Sequence, residues 1–227
     1  MRAVFLLTVQ HTGTWWSIQT LRTHPEIKGF AHVRNVLRLR TGQPLIGIDS
    51  GNPNGESVPD DGVTLIHTHW FRVYERGRWQ WDTISDALTV FVPTIVPLRD
   101  PLMSLLTRHN RDPWMYPHGD LLEEWIRMAN CSNPFTFYRV DEFSIAEFAG
   151  AVRSTGLTTP DAWLATMDIS QRPNTSGSYA LKDAYRNRDA NLISSTVPEL
   201  WNKLRESEYL LRPFLEKRGY QNLLWWS

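Results

Sequence analysis

Apolar residues gather in four short runs, Val4–Val9, Val63–His67, Thr89–Leu98 and Phe135–Val140, each rich in β-branched or aromatic side chains and bounded by polar or turn residues. Runs of that length and composition predict strands buried on both faces. Helical spacing fills the intervals. Trp15, Ile18 and Leu21 share one face of a helix that ends before His24-Pro25. Asp100-Pro101 supplies an N-cap and a first-turn proline, and Leu102, Leu105 and Leu106 follow as the buried face. A third helix runs through Leu121, Leu122, Trp125 and Ile126. A fourth opens on the capping box Ser144-x-x-Glu147 and stops near Gly156. The last begins near Pro198, carries Leu200, Trp201, Leu204, Leu211 and Leu215, and is expected to kink or break at Pro213. Strands alternating with helices predict an α/β fold: a three-layer sandwich in which a central, mostly parallel sheet is flanked by helices, as one domain over 1–227. Residues 41–62 and 168–191, rich in Gly, Pro, Asn, Asp and Ser, read as long loops at a binding edge.

Composition narrows the function classes. The 24 Lys+Arg balance the 24 Asp+Glu, so no global charge draws the chain to nucleic acid or to a membrane surface, and neither partner is expected. The single cysteine, Cys131, excludes an intrachain disulfide and a four-cysteine zinc site. No apolar run is long enough to span a bilayer. The first residues read as a core strand rather than a signal peptide, which makes a cytoplasmic location the default expectation. On that reading the sequons at Asn130 and Asn174 are chance matches.

The chemistry starts where the first strand stops, at Gln10-His11-Thr12-Gly13-Thr14-Trp15-Trp16. A strand, a glycine turn and a helix N-terminus form an anion cradle, because the first helical N–H groups lack partners and the helix dipole favours negative charge. Gly13 allows close backbone approach, and Thr12 and Thr14 add hydroxyls. The plainer alternative is an ordinary turn with Thr as N-cap. The stretch is not a Walker A loop, since no G-x-x-x-x-G-K-[ST] occurs in the chain.

"VQHTGTWW" resembles the 5′-phosphosulfate loop of sulfotransferases, usually Pro-Lys-Ser-Gly-Thr-Thr-Trp, and "HPEI" resembles the His-Pro closing the first helix in many members. "VTLIHTHWF" resembles their strand-end Leu-Ile-Lys-Thr-His, with the family's catalytic histidine falling on His69 and its second lysine on His67. "VPLRDPLMSLLTRH" resembles the strand–turn–helix that grips the 3′-phosphate, with Arg99 at the arginine position, Thr107 at the serine position and Ser104 as an alternative. "FYRVDEF" resembles the Arg-Tyr-Glu-Asp-Leu strand exit. The family's C-terminal Arg-Lys-Gly loop has no clear counterpart; the basic stretch Lys182 to Arg188 is the candidate replacement.

The resemblance implies a P-loop-like sandwich and transfer of a sulfuryl group from 3′-phosphoadenosine 5′-phosphosulfate, as co-substrate and without a metal, to a hydroxyl or amine on a small molecule, a carbohydrate or another hydroxyl-bearing acceptor. His69 would be the base, with His11 and His67 assisting. His11, Thr12, Gly13 and Thr14 would hold the phosphosulfate, and Arg99, Ser104 and Thr107 the 3′-phosphate. Trp16 or Trp15 would stack on adenine, Trp16 being preferred because Trp15 lies on the apolar stripe. The departure is that histidines, only partly charged near neutral pH, stand where the family carries lysines. That leaves open a catalytically silent nucleotide-binding protein of the same fold. A three-histidine metal site at His11, His67 and His69 and a tryptophan-based carbohydrate-binding module are further readings. His24, His32, His109 and His118 read as surface or structural histidines. Trp70, Trp79 and Trp81 are candidates for an acceptor pocket or for a satellite core, and Trp225-Trp226 for an anchor. Arg139 either reaches the site or pairs with Asp141 or Glu142. Acceptor identity and oligomeric state are not encoded in any recognisable motif.

Overall fold

In a computed structural model the described residues are 2–9, 12–32, 61–69, 72–75, 78–81, 92–111, 118–167 and 180–227. The sheet contains β1 (Arg2–Thr8), β2 (Ile27–His32), β3 (Val63–His69), β6 (Thr94–Leu98) and β7 (Thr136–Arg139), in the order β2-β3-β1-β6-β7. Every pairing in it is parallel. β4 (Arg72–Glu75) and β5 (Arg78–Trp81) form a separate antiparallel pair. The helices are α1 (Thr14–Arg22), α2 (Pro101–Arg111), α3 (His118–Asn130), α4 (Ile145–Ser154), α5 (Asp161–Leu164), α6 (Ala180–Arg186), α7 (Ala190–Thr196), α8 (Pro198–Glu206) and α9 (Glu208–Glu216).

Alternation along the strands builds two cores, because successive side chains take opposite faces. Val4, Leu6, Leu65, Ile95 and Tyr138 pack with α1 (Trp16, Ile18, Leu21), α4 (Phe148, Val152) and Trp163 of α5. On the other face Leu7, Val96 and Leu98 pack with α2, α3 and α6 to α9. The result is the expected three-layer α/β sandwich, and parallel strands bring their carboxyl ends to one edge.

Several local expectations are corrected. β2 was not anticipated: Ile27–His32 is interrupted by Gly29, where the register with β3 shifts, and that breaks the alternation by which a strand is read. The predicted Thr89–Leu98 strand is described only from Thr94 onward as β6. The stretch expected as loop over 168–191 holds α6 and the start of α7, with 168–179 outside the described residues. The C-terminal helix breaks at Ser207, between α8 and α9, while Pro213 lies inside α9. The faces of α1 are also the reverse of the expectation. Trp15 is 55% exposed, whereas Trp16 is buried edge-on against Phe143 and Phe148.

Candidate functional site

β1 delivers the chain into the turn that begins α1. Gly13 takes φ 87°, ψ 23°, a left-handed conformation that side chains oppose, so glycine is needed there. Thr12 is fully buried and its hydroxyl donates to Val9 O at 2.7 Å, so this hydroxyl's proton is spent inside the turn. Ser17 Oγ donates to Gly13 O at 2.9 Å and also bonds the buried Tyr138 hydroxyl, tying the helix to β7. Burial pushes that Tyr138 hydroxyl well above the ordinary tyrosine range, with the Ser17 bond opposing. The α1 N-terminus has no side-chain cap and no acidic residue in its first turn. Thr14 Oγ is buried there without a hydrogen-bond partner. His11 lies outside the described residues.

β3 lies beside β1, and Thr8 is level with His69 in their register. His69 therefore ends its strand next to the root of the α1 turn; its side chain lies outside the described part of the structure. His67 is 1% exposed, with Nε2 3.0 Å from Thr8 Oγ and Nδ1 3.1 Å from His32 Nδ1. His32, expected as a surface or structural histidine, is thus joined to a predicted site residue. Cross-strand pairing makes that contact, which is why spacing along the chain gave no sign of it.

β6 delivers Arg99 and Asp100. Arg99 is buried, and its Nη1 donates to Thr107 Oγ at 3.5 Å, so the two predicted 3′-phosphate residues do meet. Thr107 in turn donates to Met103 O at 2.8 Å. Ser104 Oγ, one turn earlier, is buried without a hydrogen-bond partner. Asp100 caps α2 through Leu102 N at 2.9 Å and also accepts from Tyr185 OH at 2.7 Å and Trp225 Nε1 at 2.9 Å. Burial lifts the Asp100 carboxyl to about 6, with the Tyr185 and Trp225 bonds opposing. Asp141 on the β7 exit accepts from Asp100 N at 2.7 Å and from Tyr220 OH at 2.9 Å. The Trp225 anchor is as expected, and Asp100 is its attachment point.

The basic stretch of α6 arrives at the same place. Lys182 is buried, and burial, then Arg186 and then Arg99 lower its pKa, with Asp183 opposing. Tyr185, three residues on, is the residue bonded to Asp100. Sequence reading included Lys182 on composition alone; Tyr185 and Trp225 were missed as parts of this cluster, because only the fold brings residues 100, 185 and 225 together. Arg139 takes the plainer of its alternatives, pairing with Glu142 and, at 3.4 Å, with Glu147. Trp70 lies outside the described residues, and Trp79 and Trp81 lie on β5. No three His, Cys, Asp or Glu side chains gather as a metal site among the described residues.

The parallel sheet, flanked by helices, carries an uncapped glycine turn, two histidine positions and a buried arginine at its carboxyl edge, and makes an α/β three-layer sandwich. A solved structure of similar fold is mouse sulfotransferase SULT7A1 complexed with PAP. It superposes with a TM-score of 0.50 at 14% sequence identity, covering 95% of this chain and 88% of that one. No protein-family model matches the chain. No curated protein sequence matches it either.

Proposed function

We propose that the protein is a sulfotransferase that moves a sulfuryl group from 3′-phosphoadenosine 5′-phosphosulfate to an acceptor hydroxyl or amine. The observation that carries the reading is the pair of buried hydroxyls, Thr14 Oγ at the start of α1 and Ser104 Oγ one turn into α2, that have no hydrogen-bond partner. A buried hydroxyl without a partner costs about 1–3 kcal/mol, and a phosphate oxygen at each would satisfy it. Thr14 and the first N–H groups of α1 would hold the 5′-phosphosulfate and stabilise charge developing on the leaving oxygen. Arg99, Thr107, Ser104 and Lys182 would hold the 3′-phosphate, the guanidinium by a two-pronged contact. His69 would take the acceptor's proton, a task suited to a group that titrates near neutral pH. Trp15, exposed at the first turn of α1, becomes the better candidate for stacking on adenine, ahead of the buried Trp16. The acceptor is a small molecule, a carbohydrate or another hydroxyl-bearing compound, and the reaction needs no metal.

A silent nucleotide-binding protein of the same fold is favoured by one observation: His67 is engaged with Thr8 and His32 and is almost fully buried, unlike a lysine reaching for a donor. Two measurements separate the readings. Thermal stabilisation by 3′-phosphoadenosine 5′-phosphate over adenosine monophosphate is expected under both, at about 2.7 kcal/mol when ligand is a hundredfold above its dissociation constant. Turnover of labelled donor from about pH 5.5 to 9, the range spanning histidine ionisation, belongs only to the enzyme. His69→Ala should abolish it and leave nucleotide binding intact. A complete lack of turnover over a broad acceptor panel would overturn the catalytic reading in favour of the silent one.

A further inference from the structure

Ser17 and Tyr138 are both fully buried, lie 121 residues apart in the chain and bond to each other beside the first turn of α1. Each hydroxyl has a single proton to give. Gly13 O, a carbonyl with none, accepts from Ser17 N at 3.0 Å and from Ser17 Oγ at 2.9 Å. The Ser17 proton is therefore committed to Gly13, and Tyr138 must donate to Ser17 Oγ. Burial keeps the Tyr138 hydroxyl in the protonated form that this direction needs, because it pushes the group well above the ordinary tyrosine range. The relay runs one way, from Tyr138 to Ser17 to Gly13, and ends on the left-handed residue that opens α1.

Both ends of the relay are held. The Tyr138 ring meets Phe148 edge-on at 4.9 Å, and Trp16, beside Ser17, meets the same Phe148 at 5.7 Å. Tyr138 is level with Pro97 in the register of β6 and β7, two residues short of Arg99. A peptide unit is planar and trans, so a carbonyl fixed in direction fixes the N–H across the same bond in the opposite direction. Gly13 O points along the helix to Ser17. Thr14 N–H, in the same peptide, therefore points out of the N-terminus, where the first helical N–H groups lack intrahelical partners. A serine bonding back four residues is ordinary helix chemistry. The tyrosine adds a bond from the sheet, which a helix does not need in order to form.

We propose that Ser17 and Tyr138 are positioning residues of the phosphosulfate turn: they hold the Gly13–Thr14 peptide so that Thr14 N–H faces the donor's 5′-phosphate. The inference rests on the sulfuryl-transfer reading above. Glycine leaves a turn with more backbone freedom than any other residue. The relay removes that freedom before ligand arrives, which spares a bound anion the cost of ordering the turn.

Calorimetry on the full chain at fixed pH with three nucleotides tests it. The affinity ratio of 3′-phosphoadenosine 5′-phosphate to adenosine 3′-phosphate reads the 5′-phosphate contact, and its ratio to adenosine 5′-phosphate reads the 3′-phosphate contact. Ser17→Ala should lower the first ratio by about tenfold, the scale of one hydrogen bond to a charged group, and leave the second unchanged. Tyr138→Phe should act in the same direction and less, since Ser17 keeps its own bond to Gly13. Ser17→Thr, which keeps the hydroxyl, should restore the first ratio even though its added methyl group lowers stability in a fully buried place. Lower stability with both ratios at wild-type values would make Ser17 and Tyr138 packing residues only and overturn the inference; so would both ratios falling together. A wild-type chain that gains no affinity from the 5′-phosphate overturns the nucleotide reading itself, and the inference with it. A wild-type chain that gains from it while Ser17→Ala gains equally overturns the inference alone.

Discussion

Two strand–turn–helix units stand one strand apart in the sheet and end in opposite ways. β6 runs into α2 through Asp100, whose carboxylate is saturated by Leu102 N, Tyr185 and Trp225. β1 runs into α1 through Gly13, with no cap, no acid in the first turn and a buried hydroxyl left over. Both helix ends carry the same partial positive charge. In the first the protein supplies the negative partner itself, and that partner gathers α6 and the C-terminal residues. In the second no side chain caps the helix among the described residues, which leaves the place that an anion would take on the reading proposed above. One unit is a clamp on α6 and the C-terminal residues; the other, on the reading proposed above, is a receptor.

The largest effect should come from breaking the clamp. Asp100→Ala leaves the buried Tyr185 hydroxyl and Trp225 indole without an acceptor, at about 1–3 kcal/mol each, so a loss of about 2–6 kcal/mol in urea unfolding is expected. Gly13→Ala on the receptor side should cost less, because it strains one backbone position and strands no buried donor. Equal losses would mean that the two ends are not different in kind.

The clamp also carries a pH signature. The Asp100 carboxyl is raised to about 6 from an ordinary 3.8, chiefly by burial, so the folded state favours its neutral form. Its contribution to stability is therefore fully present below the unfolded value and is lost as pH rises through about 6. The difference corresponds to ~3 kcal/mol at 1.36 kcal/mol per unit. Asp100→Asn, which cannot ionise, should remove that decline when unfolding free energies are compared between pH 4 and 7. A wild-type decline in the variant would assign it to another group.

This contrast was half legible in the sequence. Asp100-Pro101 declared a capped helix, because capping chemistry is local, while Gly13 between threonines left an anion cradle and a Thr-capped turn both open until the structure showed Gly13 at the cap with no side-chain bond. Val4–Val9 declared a buried strand from its own composition, and Phe135–Val140 declared a strand that proves only partly buried, at the edge of the sheet. What stayed hidden depends on residues distant in sequence. The Asp100–Tyr185–Trp225 junction spans 125 residues, and the His32–His67 contact lies across a strand, β2, whose pattern Gly29 interrupts. The faces of α1 were misread because two adjacent tryptophans fit the same stripe almost equally well, and the packing of Phe143 and Phe148 decides between them.

Lys182 sits on the clamp side but bears on binding. Its ammonium is disfavoured by burial and by Arg186 and Arg99. Lys182→Met should therefore not lower the stability of the nucleotide-free protein. It should weaken 3′-phosphoadenosine 5′-phosphate by about 1.5–3 kcal/mol, the worth of a hydrogen bond to a charged group, and leave adenosine 5′-phosphate nearly unaffected. Equal weakening of both nucleotides would remove Lys182 from the 3′-phosphate contact.

The smallest effect isolates the receptor. Thr14→Val keeps the shape of the side chain and deletes only the hydroxyl that lacks a partner inside the protein. Without ligand, stability should stay level or rise, since a buried polar atom no longer goes unsatisfied. With nucleotide, affinity should drop by about 0.5–1.5 kcal/mol, the net value of one neutral hydrogen bond, read by calorimetry at fixed pH. A threonine that served only to begin the helix would give the reverse, a stability loss with unchanged affinity, and α1 would then be closed in a way that its backbone does not suggest.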